Sequence, residues 1–475
     1  MGFFKTVLTF ILKCLIFDSI FLLYLINSVI RAFTTIASNI FRPDLLQIVD
    51  KHFTHLACQV YSEANVAILV SGKFRGELNK QNVANNVKRI LEKPEYHRLK
   101  ECIVPWWGHL FWKLDKNFNI KEHILKCKLD PTSPTALKKL QQSVLSKPFP
   151  TGKSPWFIYI VTNSTKQENE DIFMLKIHHS LADGHSILKL LINEIFDEPS
   201  TSVLKPVAAR LPKLVEIWLG FTFVLKAINW LSNKIISGED PALTPSGGLA
   251  SPMKTLGSGG RKYYSVESRE ISVDSIKLAR RRLNVPFMGI ILSALSQVLR
   301  NVAIRKVSRM KIPSHVTCVS PFPIKNHPGG SVRLFPLPIG EQDELKVVKD
   351  VRANLTKNVV SNVMMMRALT GVVGTMPYSW VQKSGFTDII GIPLVVSEFP
   401  GPTKQISGFG LPLVEISFQV GFHKGNCGLM FFGTSYKGMW RMKLNADIDV
   451  ISTEEEAQSI VNGVVNNIIS YSKAQ

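Results

Sequence analysis

The sequence predicts an α/β protein with two globular units behind an apolar N-terminal helix, and three observations lead there. At 475 residues the chain exceeds what one ordinary core organises. Strand-like apolar runs alternate with helix-period segments in both halves, the pattern of sheets flanked by helices. A Gly/Ser-containing connector, running from Ser246-Gly-Gly to Ser258-Gly-Gly260, separates those halves. The division that follows is 1–41 as a membrane anchor, 42–205 as a first α/β unit, 206–260 as an apolar helix and linker, and 261–475 as a second α/β unit.

Hydrophobic residues make up 45% of the chain, and the excess is concentrated near the N-terminus. Between Thr6 and Ile30 only Lys13 and Asp18 are charged. Twenty-five helical residues cover roughly 37 Å, enough to cross a bilayer with tilt. Two readings are open: a spanning anchor, which the length favours, and a monotopic helix lying in the interface. A cleaved signal peptide fits less well, because no small-x-small site follows the apolar core.

The first unit begins with a strand at 66–70 and an amphipathic helix at 80–93. An aromatic-rich strand is predicted at 104–113 and a helix at 133–145, with Ser133 as cap before Pro134. Strands at 157–162 and 171–177 flank a polar turn at 163–170, and Ile187, Leu188, Leu191, Ile192 and Ile195 recur at helical spacing over 185–196. Residues 211–236 read as a second apolar helix, either buried between units or in contact with lipid. In the second unit, helices are predicted at 273–282, 287–300, 344–360 and 454–471. Strands are predicted at 316–319, 334–339, 389–396, 414–422, 427–436 and 439–444.

Charge narrows the partners. The 57 Lys+Arg against 36 Asp+Glu give a net +21, which favours an anionic membrane surface or a phosphorylated co-substrate. Nucleic acid is disfavoured, since no basic run is interleaved with aromatics and no zinc-finger or basic-region spacing appears. The six cysteines are scattered without a C-x-x-C pair, as expected of reduced thiols, and no metal site is expected.

The chemistry concentrates in Lys176-Ile-His178-His179-Ser-Leu-Ala-Asp183-Gly184, a strand-to-helix connection. No G-x-S-x-G elbow supplies a nucleophile for either histidine, and no H-E-x-x-H pattern supplies a zinc site. A lone imidazole acting as general base remains, because its neutral form is available near working pH. Histidines that merely pack are the alternative. Asp183 is placed to bond back to the loop or to pair with an arginine, and Gly184 permits close packing or a positive φ.

His178-His179-x-x-x-Asp183-Gly184 resembles the motif of the chloramphenicol-acetyltransferase-like, coenzyme A-dependent acyltransferases, and within them the wax ester synthase/diacylglycerol acyltransferase family. Further segments agree in order: Asp115-x-x-Phe118 through His123, Lys147-Pro-Phe-Pro, Ser154-Pro155-Trp156, Val319-Ser320-Pro, Ser397 through Pro402, and Ser435-Tyr436-x-Gly438 with Asp447. Glu398-Phe399 and Met288-Gly289 depart from the family pattern.

The resemblance implies two acyltransferase subdomains with a tunnel between them. It implies His179 as general base, His178 in support, Asp183 orienting the loop, and a substrate-binding contribution from Gly184, Ser397 and Gly401. No bound cofactor is implied; acyl-CoA is the co-substrate and a hydroxyl-bearing lipid the acceptor. The expected location is a membrane or lipid-droplet surface, with the catalytic part facing the cytosol at the endoplasmic reticulum. A catalytically silent lipid-binding protein of the same fold is the competing expectation.

Overall fold

A computed structural model describes residues 2–62, 66–129, 135–163, 170–197, 213–237, 249, 262–306, 312–322, 332–357, 359–383, 392–422 and 427–473. The proposed cap Ser133, most of the 163–170 turn and all of the 246–260 connector except Leu249 lie outside these residues. A single long helix, α1 (Gly2–Phe41), opens the chain. It leads through β1 (Leu45–Ile48) and α2 (Thr54–Ala57) into β2 (Ala67–Arg75) and α3 (Lys80–Leu91). Asn79 caps α3, its side chain accepting from the Gln81 amide at 2.8 Å, and Val83, Val87, Ile90 and Leu91 face the core.

The 104–113 stretch is a hairpin rather than one strand: β3 (Glu101–Trp106) and β4 (His109–Leu114). Trp107 (φ 42°) and Gly108 (φ 75°) turn the chain between them with two consecutive left-handed residues. A two-residue hairpin turn of the primed type needs that geometry, and the aromatic run concealed it. Then come α4 (Ile120–His123), β5 (Ile124–Leu129), α5 (Ala136–Ser146), β6 (Trp156–Asn163), β7 (Glu170–His178) and α6 (Gly184–Leu190), which continues as a π-helical turn to Ile195.

The second half contains α7 (Lys213–Ser237), β8 (Tyr263–Glu267), β9 (Ile271–Ser272), α8 (Val273–Leu283), α9 (Phe287–Lys306), β10 (His315–Pro321) and β11 (Val332–Pro338). The single helix expected over 344–360 is two, α10 (Glu344–Thr356) and α11 (Val359–Gly374). Lys357 takes an extended conformation (ψ 134°) that ends α10. The Asn362 side chain then accepts from the Leu334 amide at 3.0 Å, which ties α11 to β11. The remaining elements are α12 (Tyr378–Lys383), β12 (Leu394–Pro400), β13 (Ser407–Gly408), β14 (Leu411–Val420), β15 (Leu429–Tyr436), β16 (Met439–Asp447) and α13 (Glu454–Lys473).

Among the described residues, three sheets organise these elements. The first half centres on β13-β14-β2-β7-β6-β5, the second on β11-β10-β12-β15-β16-β8, and β1-β4-β3 forms a small third sheet. The first sheet therefore borrows two strands from the second half, with β14 antiparallel to β2 through Phe418↔Val70 and Val420↔Ile68. A cut at the connector separates the chain in sequence but not the sheet. β7 reads as a continuous apolar run because both its faces are covered. Phe173, Leu175 and Ile177 join one core with Ile187 and Leu188, while Ile172 and Met174 join another with Val144, Leu145 and Phe149.

α7 shares features of both readings offered for it. Ala227, Ile228 and Leu231 pack with Leu369 and Val372 of α11 and Ile20 of α1, whereas Trp218, Phe221 and Ile235 are exposed. At the other end of α11, a Cβ on Gly374 would fall within 1.7 Å of the Lys51 carbonyl oxygen. Gly374→Ala is therefore expected to destabilise the fold by about 1–3 kcal/mol, the usual cost of overpacking. Thermal unfolding of the variant beside wild type measures it.

Candidate active site

The histidine loop begins where β7 ends. β7 is held on both sides, by Ala67↔His178 and by Trp156↔Ile177. His178 closes the strand, its amide donating to the Pro155 carbonyl at 2.9 Å and its ring fully buried. The Ser180 amide donates to His178 Nδ1 at 3.2 Å, and the Ser180 hydroxyl lies 2.8 Å from the same nitrogen. An accepting Nδ1 carries no proton, so these contacts hold His178 in its Nε2–H tautomer. His178 thereby braces the loop.

His179 is the first residue beyond the strand, and its amide donates to the Val66 carbonyl at 3.2 Å. Its side chain is half-buried with Nδ1 enclosed, which leaves Nε2 as the nitrogen for chemistry. Burial pulls its pKa below 6.5, against the opposing influence of Asp183 and of its own backbone carbonyl. The ring is therefore neutral at pH 7 and able to take a proton.

Asp183 acts on the His179 ring and also works forward into the helix. It caps α6, its Oδ1 accepting from the Ser186 amide at 2.7 Å. Such a cap contributes about 0.5–2 kcal/mol and fixes the exit of the loop. Gly184 is needed for close packing: a Cβ there would lie 2.8 Å from Cε1 of Phe399, and its φ is not left-handed. Phe399 in turn stacks on Phe418, with ring centroids 4.5 Å apart and planes 7° from parallel. Through this pair the second half of the chain presses on the histidine loop.

Alternation along β12 puts Ser397 on the same face as Phe399, and it is buried there. The Gly401 amide donates to the Ser435 carbonyl at 2.9 Å, and a Cβ at Gly401 would meet that oxygen at 2.2 Å. Gly401 thus secures β12 against β15, and its N–H is already engaged. Met288 and Gly289 sit at the start of α9, against the core of the second half.

Sequence reasoning missed Lys176 and Ser180. Lys176 is buried one strand repeat before His178, its Nζ 4.5 Å above the Phe149 ring and donating to the Lys147 carbonyl. Phe149 also meets His178 edge-on at 5.8 Å, so the Lys147-Pro-Phe149 segment supports both residues. Burial, with Lys147 adding to it, pushes the Lys176 ammonium down to about 7. The two-residue period back from His178 was the available signal.

Glu398 points to the opposite face of β12, away from the histidine. Its carboxylate accepts from Trp440 Nε1 at 3.0 Å and lies over Gly433, where a Cβ would come within 2.0 Å of Oε1. Burial raises its pKa to about 8, so the folded protein holds it as a neutral acid. An unfolded glutamate ionises near 4.5, so stability is lost as pH rises from about 4.5 to about 8 and levels off above. Glu398→Gln is expected to flatten that decline and to raise the Tm at pH 8 by about 2–4 °C, as ~1 kcal/mol does in a unit of this size. Melting curves at pH 5 and pH 8 check this.

The chain is similar to known proteins in sequence and in fold. Residues 330–463 match the family model described as the WS/DGAT C-terminal domain. Wax ester synthase/diacylglycerol acyltransferase 1 of Arabidopsis thaliana is 20% identical over 243 residues, covering 49% of this chain and 50% of that protein. The chain thus matches about half the length of this curated relative. Among solved structures, the wax ester synthase/diacylglycerol acyltransferase from Marinobacter aquaeolei VT8 superposes with a TM-score of 0.59 at 13% identity, over 90% of this chain and 100% of that one. Trichothecene 15-O-acetyltransferase from Fusarium sporotrichioides gives 0.59 at 11% identity, over 90% and 94%. A starter condensation domain of rhizomide synthetase, solved with C8-CoA, gives 0.57 at 12% identity, over 90% and 95%. The fold is chloramphenicol-acetyltransferase-like, as in these structures.

Proposed function

We propose that this chain, which carries a WS/DGAT C-terminal domain, is an acyl-CoA-dependent O-acyltransferase. Its products would be neutral lipid esters, wax esters or triacylglycerol, made from a long-chain alcohol or a diacylglycerol. The observation that carries the proposal is the neutral, half-buried His179 on a loop braced by His178 and Ser180, capped by Asp183 and pressed by Phe399. The names of the Arabidopsis and Marinobacter proteins support the product class, and the C8-CoA bound by the condensation domain supports an acyl thioester as donor.

In this reading acyl-CoA and the alcohol approach His179 from opposite mouths of a tunnel between the two large sheets. Nε2 of His179 removes the hydroxyl proton as the oxygen attacks the thioester carbonyl carbon. The tetrahedral intermediate collapses, the C–S bond breaks, and the CoA thiolate takes the proton back from the imidazolium. The histidine ends as it began, and no acyl-enzyme forms. Gly184 and Ser397 border the acceptor path, while Gly401 holds β12 in place. The helix α1, which contains an 18-residue stretch with a mean hydropathy of 2.1, keeps this machinery at a membrane or lipid-droplet surface, cytosolic at the endoplasmic reticulum.

His179→Ala is expected to lower ester formation by about 10³-fold, within the range that positioned acid–base groups supply. The assay is radiolabelled acyl-CoA with fatty alcohols, diacylglycerols and sterols offered in turn. Ester formation that survives the substitution would exclude His179 as base. Wild type that esterifies none of these acceptors would favour a lipid-binding protein without chemistry.

A further inference from the structure

α1 has two faces with the same repeat and opposite surroundings. Ile20, Asn27, Thr34 and Ser38 are buried against the body of the protein, and Arg31 shares their stripe. Arg31 donates to the Gly374 carbonyl at 3.3 Å and to the Val49 carbonyl, tying the helix to α11 and to the end of β1. On the far side Leu22, Ile26, Val29, Phe33, Ile36 and Ile40 form an uninterrupted apolar ridge, each 46–68% exposed. The ridge extends beyond the helix. Trp107, at the tip of the β3–β4 hairpin, is 56% exposed and stacks on Phe33 with ring centroids 6.4 Å apart.

A spanning helix does not account for this arrangement. If residues 20–38 crossed the bilayer, about 27 Å of helix would draw the body bound to it into hydrocarbon. If residues 2–19 crossed instead, the whole ridge from Leu22 to Ile40 would stand in water. A helix lying flat satisfies both faces, with its apolar ridge in the acyl boundary and its polar stripe toward the protein. Charge favours an anionic surface, since 57 Lys+Arg against 36 Asp+Glu leave the chain at a net +21. Lys51 and Arg367 gather beside Arg31 on the body side of the helix, with Asp50 the acid that acts on all of them.

We infer that α1 and the Trp107 hairpin tip form a monotopic docking face that seats the protein flat on an anionic phospholipid surface, so that α1 does not cross the membrane. This rests on the membrane association in the proposed function and adds its geometry.

The test places N-glycosylation acceptor tags at both ends of the full chain and translates it with microsomes. Flat docking leaves the two tags alike, neither modified when the body is cytosolic. Membrane-bound protein with one tag glycosylated and the other not would show a crossing and overturn the inference, leaving the acyltransferase reading intact. A companion variant, Val29→Glu/Ile36→Glu, alters only the exposed ridge. On phosphatidylcholine vesicles containing phosphatidylserine it is expected to bind at least about tenfold more weakly than wild type, with unchanged far-UV circular dichroism. Equal binding by the folded variant would remove the ridge from the docking face. Wild type that stays soluble as an oligomer would assign the ridge to a second copy of the chain and overturn membrane association as well.

Discussion

The contact of Phe399 with Gly184 is the constraint on which the rest of the structure depends. Phe399 lies on a strand of the second sheet and Gly184 at the start of the helix after the histidine loop, so their packing joins the halves at the reacting centre. β14 reinforces the join from the other side by adding a second-half strand to the first sheet beside β2. Any side chain at residue 184 would drive the aromatic away and loosen the loop. The glycine of the histidine motif is thus explained by a neighbour more than two hundred positions along the chain, not by local backbone strain.

Around this join, burial keeps titratable groups near or in their neutral forms. His179 is depressed, Lys176 is brought down to about 7, and Glu398 is raised to about 8, each chiefly by loss of water. A chain with a net charge of +21 therefore keeps several groups in its interior close to neutral. That suits a reaction whose acceptor is an uncharged alcohol and whose base must begin neutral. The positive charge belongs to the exterior, where an acyl-CoA phosphate or an anionic lipid would meet it.

The sequence made much of this legible because its periodicities are local. The apolar run into His178 and the helical spacing after Asp183 placed the loop between a strand and a helix, and the structure keeps it there. Errors arose where distant contacts decide the outcome. The hairpin turn at Trp107-Gly108 was hidden because aromatic residues resemble a strand while their φ angles do not. The break between α10 and α11 depends on Asn362 reaching β11. Glu398 departs from the pattern of the family that the chain resembles. Strand alternation turns it toward Trp440 and the space above Gly433, which the sequence presents only as a glycine.

In the function and docking proposed above, loop, join and docking face serve one arrangement, a neutral imidazole held where a water-soluble thioester and a membrane-soluble alcohol would meet. Its central element is His179 acting as a base from the neutral state. The pH dependence of kcat/KM for ester formation, followed from about pH 5 to pH 9, tests it most directly. The expected profile rises through a single ionisation below 6.5, in keeping with the depressed imidazole, and is flat across neutral pH. A profile that rises only above pH 7 would contradict it.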